Sequence, residues 1–507
     1  MELWTFHRYR QPCLSVDAIE LDSQGPALIL RQGIHAYSLA VDDSDAAVEI
    51  ARDLAALRDS SAPLWDVVRA CPVGQSWNAI CEFLDKRSLI REGADDAAQL
   101  LEARRKRVED CIANTSAVAL DGLGPGRRAA IAAHALTLRA DVAASANGRA
   151  FAADGDPFDA AVQPNFFLAL LVLELEYFRR ASPLTLMASD ALLSRLANDH
   201  DAASGLDAMA DLPEAGVLYD LRDLEAHLWL VAQCLVAASA DGAQRLPVPS
   251  LEPLTLASGL EFMRRTELLT REVLQNWGQN PYVTALDALN DTYSPLVAGP
   301  FIEQYHVTRR FVEIIAPLLS KRLAAPLREM MFRYYSEEVG HEALESTTCE
   351  AMGVSQEALD QAVPLPLHFA FVDVLTLVAD LDPVSSFASI MVIEGVFGEP
   401  PKMSLRLVAV ARTNSALHEI SGDHDELNET LNHNSISRDA FEHVAAVTPA
   451  AQARAMRRIL FLLELNHRAW GGIADFYGRQ DKLWLQGTLG RPLSPQGILL
   501  PRSMPGG

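Results

Sequence analysis

Acidic side chains and a histidine occupy core-facing positions in the segment SEEVGHEALE, residues 336–345. At 100° per residue, the helix that this pattern predicts has an apolar stripe, formed by Leu327, Met331, Tyr334, Tyr335, Cys349 and Met352. Glu338 lies inside this stripe, with Glu342 and Glu345 near its centre, and His341 lies toward one edge. Because a buried carboxylate becomes protonated, pairs with a cation or binds a metal, these acids are candidates for chemistry.

A second acid stands alone in the apolar segment SSFASIMVIEGVFGEP. The helical neighbours of Glu394 are all apolar, namely Phe387, Ile390, Met391 and Phe397. A solvated face does not explain such a carboxylate. It is a candidate metal ligand, and the alternatives are a protonated acid or an ion pair with a neighbouring helix.

Two further segments combine acid and imidazole. In LNHNSISRDAFEHVAAV, Asp439 and His443 are predicted to share a core-facing stripe, and His433 lies just before the helix or at its start. In FIEQYHVTRRF, Glu303 lies at the edge of an apolar stripe and is kept as a candidate ligand, whereas His306 is predicted to point away from that stripe.

Carboxylates and imidazoles that project inward from several helices, with no cysteine among them, suit non-haem iron or manganese in a helical bundle. Zinc accepts the same donors, but a catalytic zinc site needs fewer ligands and an open position for water. Iron with dioxygen as co-substrate is therefore the preferred chemistry.

The composition limits the classes of partner that the protein is expected to bind. A net charge of -24 argues against nucleic acid or an anionic membrane surface. Six cysteines without paired spacing favour reduced thiols in a cytoplasmic protein, and no secretory signal is apparent. The apolar run FFLALLVLELEYFRR is predicted to be a buried helix, because two glutamates interrupt it before it could span a bilayer.

The sequence predicts a mainly α protein. The segments that must position these residues follow one another along the chain as separate domains. A small α+β domain is expected over 1–95 and a helical domain over 96–245, followed by a proline-rich linker at 246–257, a metal-binding bundle over 258–480 and a tail over 481–507. In the middle region, Asp223 and His227 are four residues apart and are interpreted as a surface contact.

Residues 281–478 resemble the haem-oxygenase-like di-iron oxidases. The likeness rests on NPYV, EQYHVTRRF, the helix LREMMFRYYSEEVGHEALESTTCEAMGV, the glutamate of MVIEGVF and RRILFLLELNHRAWGGI. The resemblance implies a haem-oxygenase-like bundle with two iron ions, in which Glu338 and His341 supply one part of the site, Glu394 bridges, and the late helix with His433, Asp439 and His443 completes it.

The late helix departs from the family pattern of His, then Asp four residues on, then His three further. In register with His433, the last two places hold Ser437 and Ala440. A π-bulge that restores Asp439 and His443, or a weakened second metal site, are both consistent with this departure.

The resemblance implies an oxidase or oxygenase acting on an amine- or amino-acid-like substrate in natural-product or peptide tailoring. Helical spacing places Tyr305, Tyr334 and Tyr335 close enough to the predicted site to take part in radical or self-modification chemistry, and core packing is the alternative for them. The N-terminal order of strands and helices resembles winged-helix peptide-recognition domains, and a packing or dimerisation role is the alternative. A homodimer and an external electron donor are further expectations. The alternative functions are a metal-free enzyme with a glutamate as general base and a degenerate binding protein.

Overall fold

The structure is a computed structural model, which describes residues 12–60, 74–146, 156–160, 162–198, 221–249, 254–289, 294–394 and 435–497. The chain divides into two compact units, Met1–Arg107 and Val108–Gly507. Most elements in the described ranges are helices, which confirms the mainly α fold class.

The first unit contains a three-stranded antiparallel sheet and a separate strand pair. The sheet has the order β2-β3-β4, and β1 pairs with β5. The bounds are β1 Pro12–Leu14, β2 Ala18–Leu21, β3 Ala27–Gln32, β4 His35–Ala40, α1 Ser44–Ser60, α2 Gly74–Lys86, β5 Ile90–Glu92 and the start of α3, Ala94–Leu120. Between β3 and β4, Gly33 has a φ of +55°, which suits the tight turn of a hairpin. The segment PALILRQGIHAYSLAV predicts a strand pair, and the antiparallel pairing of β3 with β4 confirms it. The winged-helix assignment stays a prediction.

The second unit is almost entirely helical. Its elements are α4 Pro125–Ala146, α5 Pro157–Ala160, α6 Phe166–Ala181, α7 Pro183–Leu196, α8 Leu221–Ala238, α9 Gly259–Trp277, α10 Pro281–Asp287, α11 Pro295–Arg309, α12 Phe311–Leu319, α13 Ala325–Glu338, α14 Glu342–Ala351, α15 Gln356–Gln361, α16 Pro366–Leu381, α17 Pro383–Ile393, α18 Ile436–Glu442, α19 Pro449–Phe476, β6 Leu485–Gln486, a 3-10 turn at Thr488–Gly490 and β7 Pro492–Leu493. None of the helices in the described ranges has the length and apolar character needed to cross a bilayer.

Three helices at the centre of this unit are apolar around most of their circumference. Helix α16 packs against α6, α8, α12, α17 and α19, and α6 also packs against α8. Buried side chains cover nearly every face of α6, α8 and α16, which is the pattern of a helix enclosed on all sides. The predicted burial of the run at α6 is confirmed.

The predicted division into a middle domain and a separate bundle is wrong for the described residues. Side chains of α6 and α8 share one hydrophobic core with side chains of α16 and α19. The proline-rich stretch is held at both ends: Leu246 N–H donates to Glu464 Oε1 over 2.9 Å, and Ala257 pairs with Val447. Proline marks a turn along the surface here, because helices without a polar face on either side of it still need a common core.

The predicted C-terminal tail begins with a packed hairpin. Strands β6 and β7 pair antiparallel, and Leu485 and Leu493 are fully buried in a core cluster with α11 and α19. Val363 N–H donates to the carbonyl of Gln486 over 2.7 Å. Residues up to 497 therefore belong to the second unit.

Candidate functional site

The predicted pair Glu338 and His341 forms at a break between two helices. The sequence pattern predicts one continuous helix, but Gly340 has a φ of +93° and separates α13 from α14. Glu338 ends α13 and is buried, and His341 precedes α14 with its Nδ1 3.0 Å from Glu338 Oε2. The left-handed turn at the glycine thus brings the acid and the imidazole together.

Glu394 and Glu338 face the same phenol. Glu394 follows the last residue of α17 and accepts a hydrogen bond from the hydroxyl of Tyr334. Burial raises the pKa of Tyr334 well above its ordinary value, and the charges of Glu394 and Glu338 raise it further. Of the three candidate tyrosines, Tyr334 reaches this carboxylate, whereas Tyr335 is half-buried against the core and the Tyr305 hydroxyl donates to Asp360.

The late helix does not present an inward acid and imidazole. Helix α18 buries Ile436, Ser437, Ala440 and Phe441, while His443 follows its last residue and is exposed. Asp439 is half-buried and accepts a hydrogen bond from Ser435 Oγ over 2.7 Å. The expected shared core-facing stripe is wrong because the helix ends at Glu442, immediately before His443. His433 lies outside the described residues.

Glu303 lies where α11, α16 and α19 meet. Its carboxylate accepts from Leu365 N–H over 2.7 Å and from the Tyr477 hydroxyl over 2.8 Å. Burial raises the pKa of Glu303 to about 8, although both hydrogen bonds act in the opposite direction. His368 Nδ1 lies 3.8 Å from Glu303 Oε2.

His306 is buried, so the prediction that it points away from the apolar side is wrong. Burial lowers its pKa to about 3, with smaller contributions from Arg309 and His368. Its Nε2 has no hydrogen-bond partner among the described residues. The tight packing of α11 on neighbouring helices encloses both sides of this helix, which a single-stripe interpretation of the sequence does not anticipate.

A cluster of buried polar side chains that the sequence pattern does not indicate lies between the three central helices. Glu174 of α6, His227 of α8 and Asp373 of α16 each offer a ligand atom, and these atoms lie within 4.8 Å of one another. All three side chains are buried. In the described part of the chain, no other set of three acid, histidine or cysteine side chains converges in this way.

The negative charge of Asp373 is fully compensated by neighbouring side chains. Its Oδ2 lies 2.9 Å from His227 Nε2, and its Oδ1 accepts from Arg310 Nη2 over 2.7 Å. Burial raises the pKa of this carboxyl, but the charge of Arg310 and the contact with His227 outweigh burial and lower it to about 2. The guanidinium of Arg310 lies 4.6 Å from the centre of the Phe369 ring, which places this ion pair in apolar surroundings.

The carboxylate of Glu174 has no comparable donor group or cation bonded to it. Neither of its carboxylate oxygens accepts a hydrogen bond from a donor group among the described residues. Burial raises its pKa well above the ordinary value, the charge of Asp373 and contact with that carboxyl raise the pKa further, and the charge of Arg310 acts in the opposite direction. Since Arg310 already balances Asp373, the carboxylate of Glu174 needs either a proton or an additional cation.

The signal for this group in the sequence is a single polar residue in each of three apolar runs. Glu174 stands in LALLVLELEYF, and Asp373 stands in HFAFVDVLTLV. The predicted surface contact between Asp223 and His227 is wrong. Asp223 is exposed, whereas His227 is 7% exposed and lies between the Phe178 and Phe369 rings, whose centroids are 4.6 and 4.4 Å from its own.

A cavity of about 370 Å³ lies among α6, α8, α16, α19 and the C-terminal hairpin. Phe167, Trp229, His368, Gly472 and Phe476 line it, and Cys234 contributes to the wall on α8. Burial raises the pKa of the Cys234 thiol, and the negative charge of Glu174 adds to this effect. The wall of the cavity is thus electrostatically coupled to the acid of the central group.

No model of a known protein family matches this chain, and no curated protein matches it. A solved structure from Shewanella denitrificans OS217, a domain of unknown function with a heme oxygenase-like fold, is 16% identical. The alignment covers 43% of this chain and 92% of that chain, with a TM-score of 0.35. Such a low TM-score does not establish a common fold, so the haem-oxygenase-like arrangement stays a prediction.

The donor set of the central group suits a metal ion. One imidazole and two carboxylates, without a thiolate, favour iron, manganese or zinc over copper. The uncompensated carboxylate of Glu174 fits a bound cation, because a divalent ion would supply the positive charge that Arg310 supplies to Asp373. The arrangement is therefore able to hold one metal ion between three helices.

Proposed function

We propose that Glu174, His227 and Asp373 hold an iron ion and that the protein is a non-haem iron oxidoreductase that uses O2. The observation that carries the proposal is the convergence of three donor atoms within 4.8 Å in a buried site where neither oxygen of Glu174 has a hydrogen-bond partner among the described residues. The substrate is an amine- or amino-acid-like molecule, as the family resemblance implies, and the setting is natural-product or peptide tailoring.

When it is bound, iron supplies the electrons that O2 activation requires. The side chains around it fix the ligands. Arg310 holds one oxygen of Asp373 at 2.7 Å and so orients the carboxylate, a contact of the kind that tunes metal ligands in other proteins. The rings of Phe178 and Phe369 enclose His227 and keep water away from it.

A second iron is part of the proposal, with the predicted ligands Glu338, His341 and Glu394 at its centre. The contact of the Tyr334 hydroxyl with Glu394, and the influence of Glu338 on the same phenol, support a common site for these acids. The other candidate ligands from the sequence are not part of this proposal: α18 does not present Asp439 and His443 inward, Glu303 is bonded to Leu365 and Tyr477, and His433 lies outside the described residues.

The test is iron content after anaerobic addition of Fe(II) to the full chain. We expect one tightly bound iron to be lost in Glu174→Gln and in His227→Gln. Glu176→Gln is the matched control, because Glu176 lies on the same helix and is paired with Arg179 and Arg180. We expect this control to keep its iron.

The outcomes separate the alternatives. Iron that persists in Glu174→Gln and disappears in Glu338→Gln would place the metal at the predicted set instead of the central group. A chain that binds no iron, manganese or zinc would refute the metal proposal and leave Glu174 as a protonated acid, which is the starting point for a metal-free general acid or base. Stoichiometric iron without O2 consumption in the presence of amines would contradict the oxidase activity.

A further inference from the structure

The cavity between α6, α8, α16 and α19 has aromatic walls on three helices. Phe167 belongs to α6, Trp229 to α8 and Phe476 to α19. No aspartate, glutamate, lysine or arginine is among the side chains that line it. Because transferring an ion into such surroundings without a partner is costly, the lining selects against charged ligands and favours aromatic ones.

A single histidine, His368, is among the side chains that line this cavity. It is 8% exposed, and its Nδ1 lies 3.8 Å from Glu303 Oε2 and makes no hydrogen bond within the described residues. A neutral imidazole has one donor and one acceptor nitrogen, so Nε2 can bond a partner while Nδ1 faces Glu303. Buried polar groups are normally hydrogen-bonded, and a polar group of a ligand would satisfy this ring.

A glycine in the interior of α19 keeps the cavity open. Gly472 lines the cavity, and a Cβ atom added there would meet no atom within 4 Å. Gly299 differs, since its added Cβ would lie 2.5 Å from the Tyr477 ring and the glycine is needed for packing. A glycine within a helix costs about 1 kcal/mol relative to alanine. At position 472 no close contact requires a glycine. The missing side chain therefore leaves part of the cavity empty.

We propose that this cavity binds an uncharged, planar aromatic small molecule with one hydrogen-bonding group, held between the aromatic walls and bonded to His368. A volume of about 370 Å³ is within the range of small-molecule sites. The site goes beyond the proposed metal function, because neither its walls nor His368 belongs to the proposed ligand set.

The test uses 2-naphthol as the probe and 2-naphthoate as a charged molecule of similar shape, with the purified full chain and calorimetric titration at pH 7. We expect 2-naphthol to bind at least about tenfold more tightly than 2-naphthoate, since the carboxylate must be desolvated without a partner. Gly472→Met places a side chain in the cavity and is expected to abolish binding. Gly471→Met is the matched control, because Gly471 is adjacent and does not line the cavity.

His368→Phe keeps the ring and removes its nitrogens, so we expect 2-naphthol to lose its advantage over naphthalene in this variant. Ala237→Leu fills the same cavity from α8 and replaces Gly472→Met if that variant does not fold. Equal binding of naphthol and naphthoate, or binding that survives both cavity-filling variants, would overturn the proposal. Iron content does not enter these measurements, so failure of the metal proposal and failure of this one are distinguishable.

Discussion

Glu303 offers a quantitative test of the buried electrostatics, through the substitution Glu303→Gln. In the wild type, the carboxyl has a pKa of about 8 in the folded state, against 4.5 as the ordinary value. Glutamine has the same shape and no charge. Its oxygen can accept from Leu365 N–H, and its amide can donate to the Tyr477 hydroxyl oxygen, so both contacts of the wild type are retained.

The direction in which the free energy of unfolding changes with pH follows from proton binding. Between pH 4.5 and pH 8 the folded state holds a proton on Glu303 that the unfolded chain has released, so the free energy of unfolding falls as the pH rises. The full contribution of this acid is present below the ordinary pKa and is lost as the pH approaches the folded pKa. With about 1.4 kcal/mol per pH unit, levelling off near the folded pKa, the wild type loses about 2 kcal/mol from this group between pH 6 and pH 8.

The measurement is urea unfolding of wild type and Glu303→Gln at pH 6, 7 and 8. We expect the variant to gain about 2 kcal/mol on the wild type across this range, because the other titrating groups cancel in the difference. An exposed control on α13, Glu329→Gln, is expected to give a difference that does not change with pH. A constant difference for Glu303→Gln would refute the reasoning, since it would show that Glu303 is ionised in the folded protein, as a metal ligand would be.

Three further outcomes follow from the same structure. In metal-free protein at pH 8, Glu174→Gln is expected to raise the free energy of unfolding, measured in urea, by about 1–3 kcal/mol. The reason is that a neutral amide replaces a buried carboxylate without a bonded donor group, and a loss of stability would contradict it. Arg310→Met is expected to destabilise the protein by about 3–5 kcal/mol in the same assay, since it leaves Asp373 charged and without its cation, and an unchanged midpoint would contradict the assigned pair. Gly490→Ala is expected to lower the melting temperature in calorimetry, because φ is +65° there and the added Cβ would lie 2.6 Å from the Trp229 ring; an unchanged melting temperature would exclude this contact.

The sequence was sufficient for features that depend on neighbours along the chain. The helical class, the strand pair around Gly33 and the proximity of Glu338 and His341 all follow from spacing over a few residues. The helical spacing of this segment predicts one continuous apolar stripe and does not indicate the turn at Gly340, although glycine is the usual residue for a positive φ.

The central group could not be assembled from the sequence, because helices that are apolar on all sides give no preferred face. A periodic pattern indicates which side of an amphipathic helix is buried, and α6, α8 and α16 have no such side. Which helices become neighbours then depends on long-range packing. The predicted linker at 246–257 had the further effect of placing Glu174 and His227 in a different domain from Asp373.

The two glutamates of LELEY, Glu174 and Glu176, are both buried, but their charges are compensated in different ways. Glu176 is 1% exposed and accepts hydrogen bonds from Arg179 and Arg180, the residues three and four positions on, over 2.6–2.8 Å. Burial raises its pKa, but these two arginines lower it below the ordinary value overall. Its charge is therefore compensated by its own helix.

At Glu174, the positions three and four residues on are Tyr177 and Phe178, and those before it are leucines. No cation on α6 can reach this carboxylate, so its compensation must come from outside the helix. Asp373 also lacks a basic residue at these spacings on α16, and Arg310 of the segment between α11 and α12 compensates it. No arginine among the described residues donates a hydrogen bond to Glu174, and the charge of Arg310 does not prevent its pKa from rising. This difference between two adjacent buried acids is the physical reason for proposing a metal ion at Glu174.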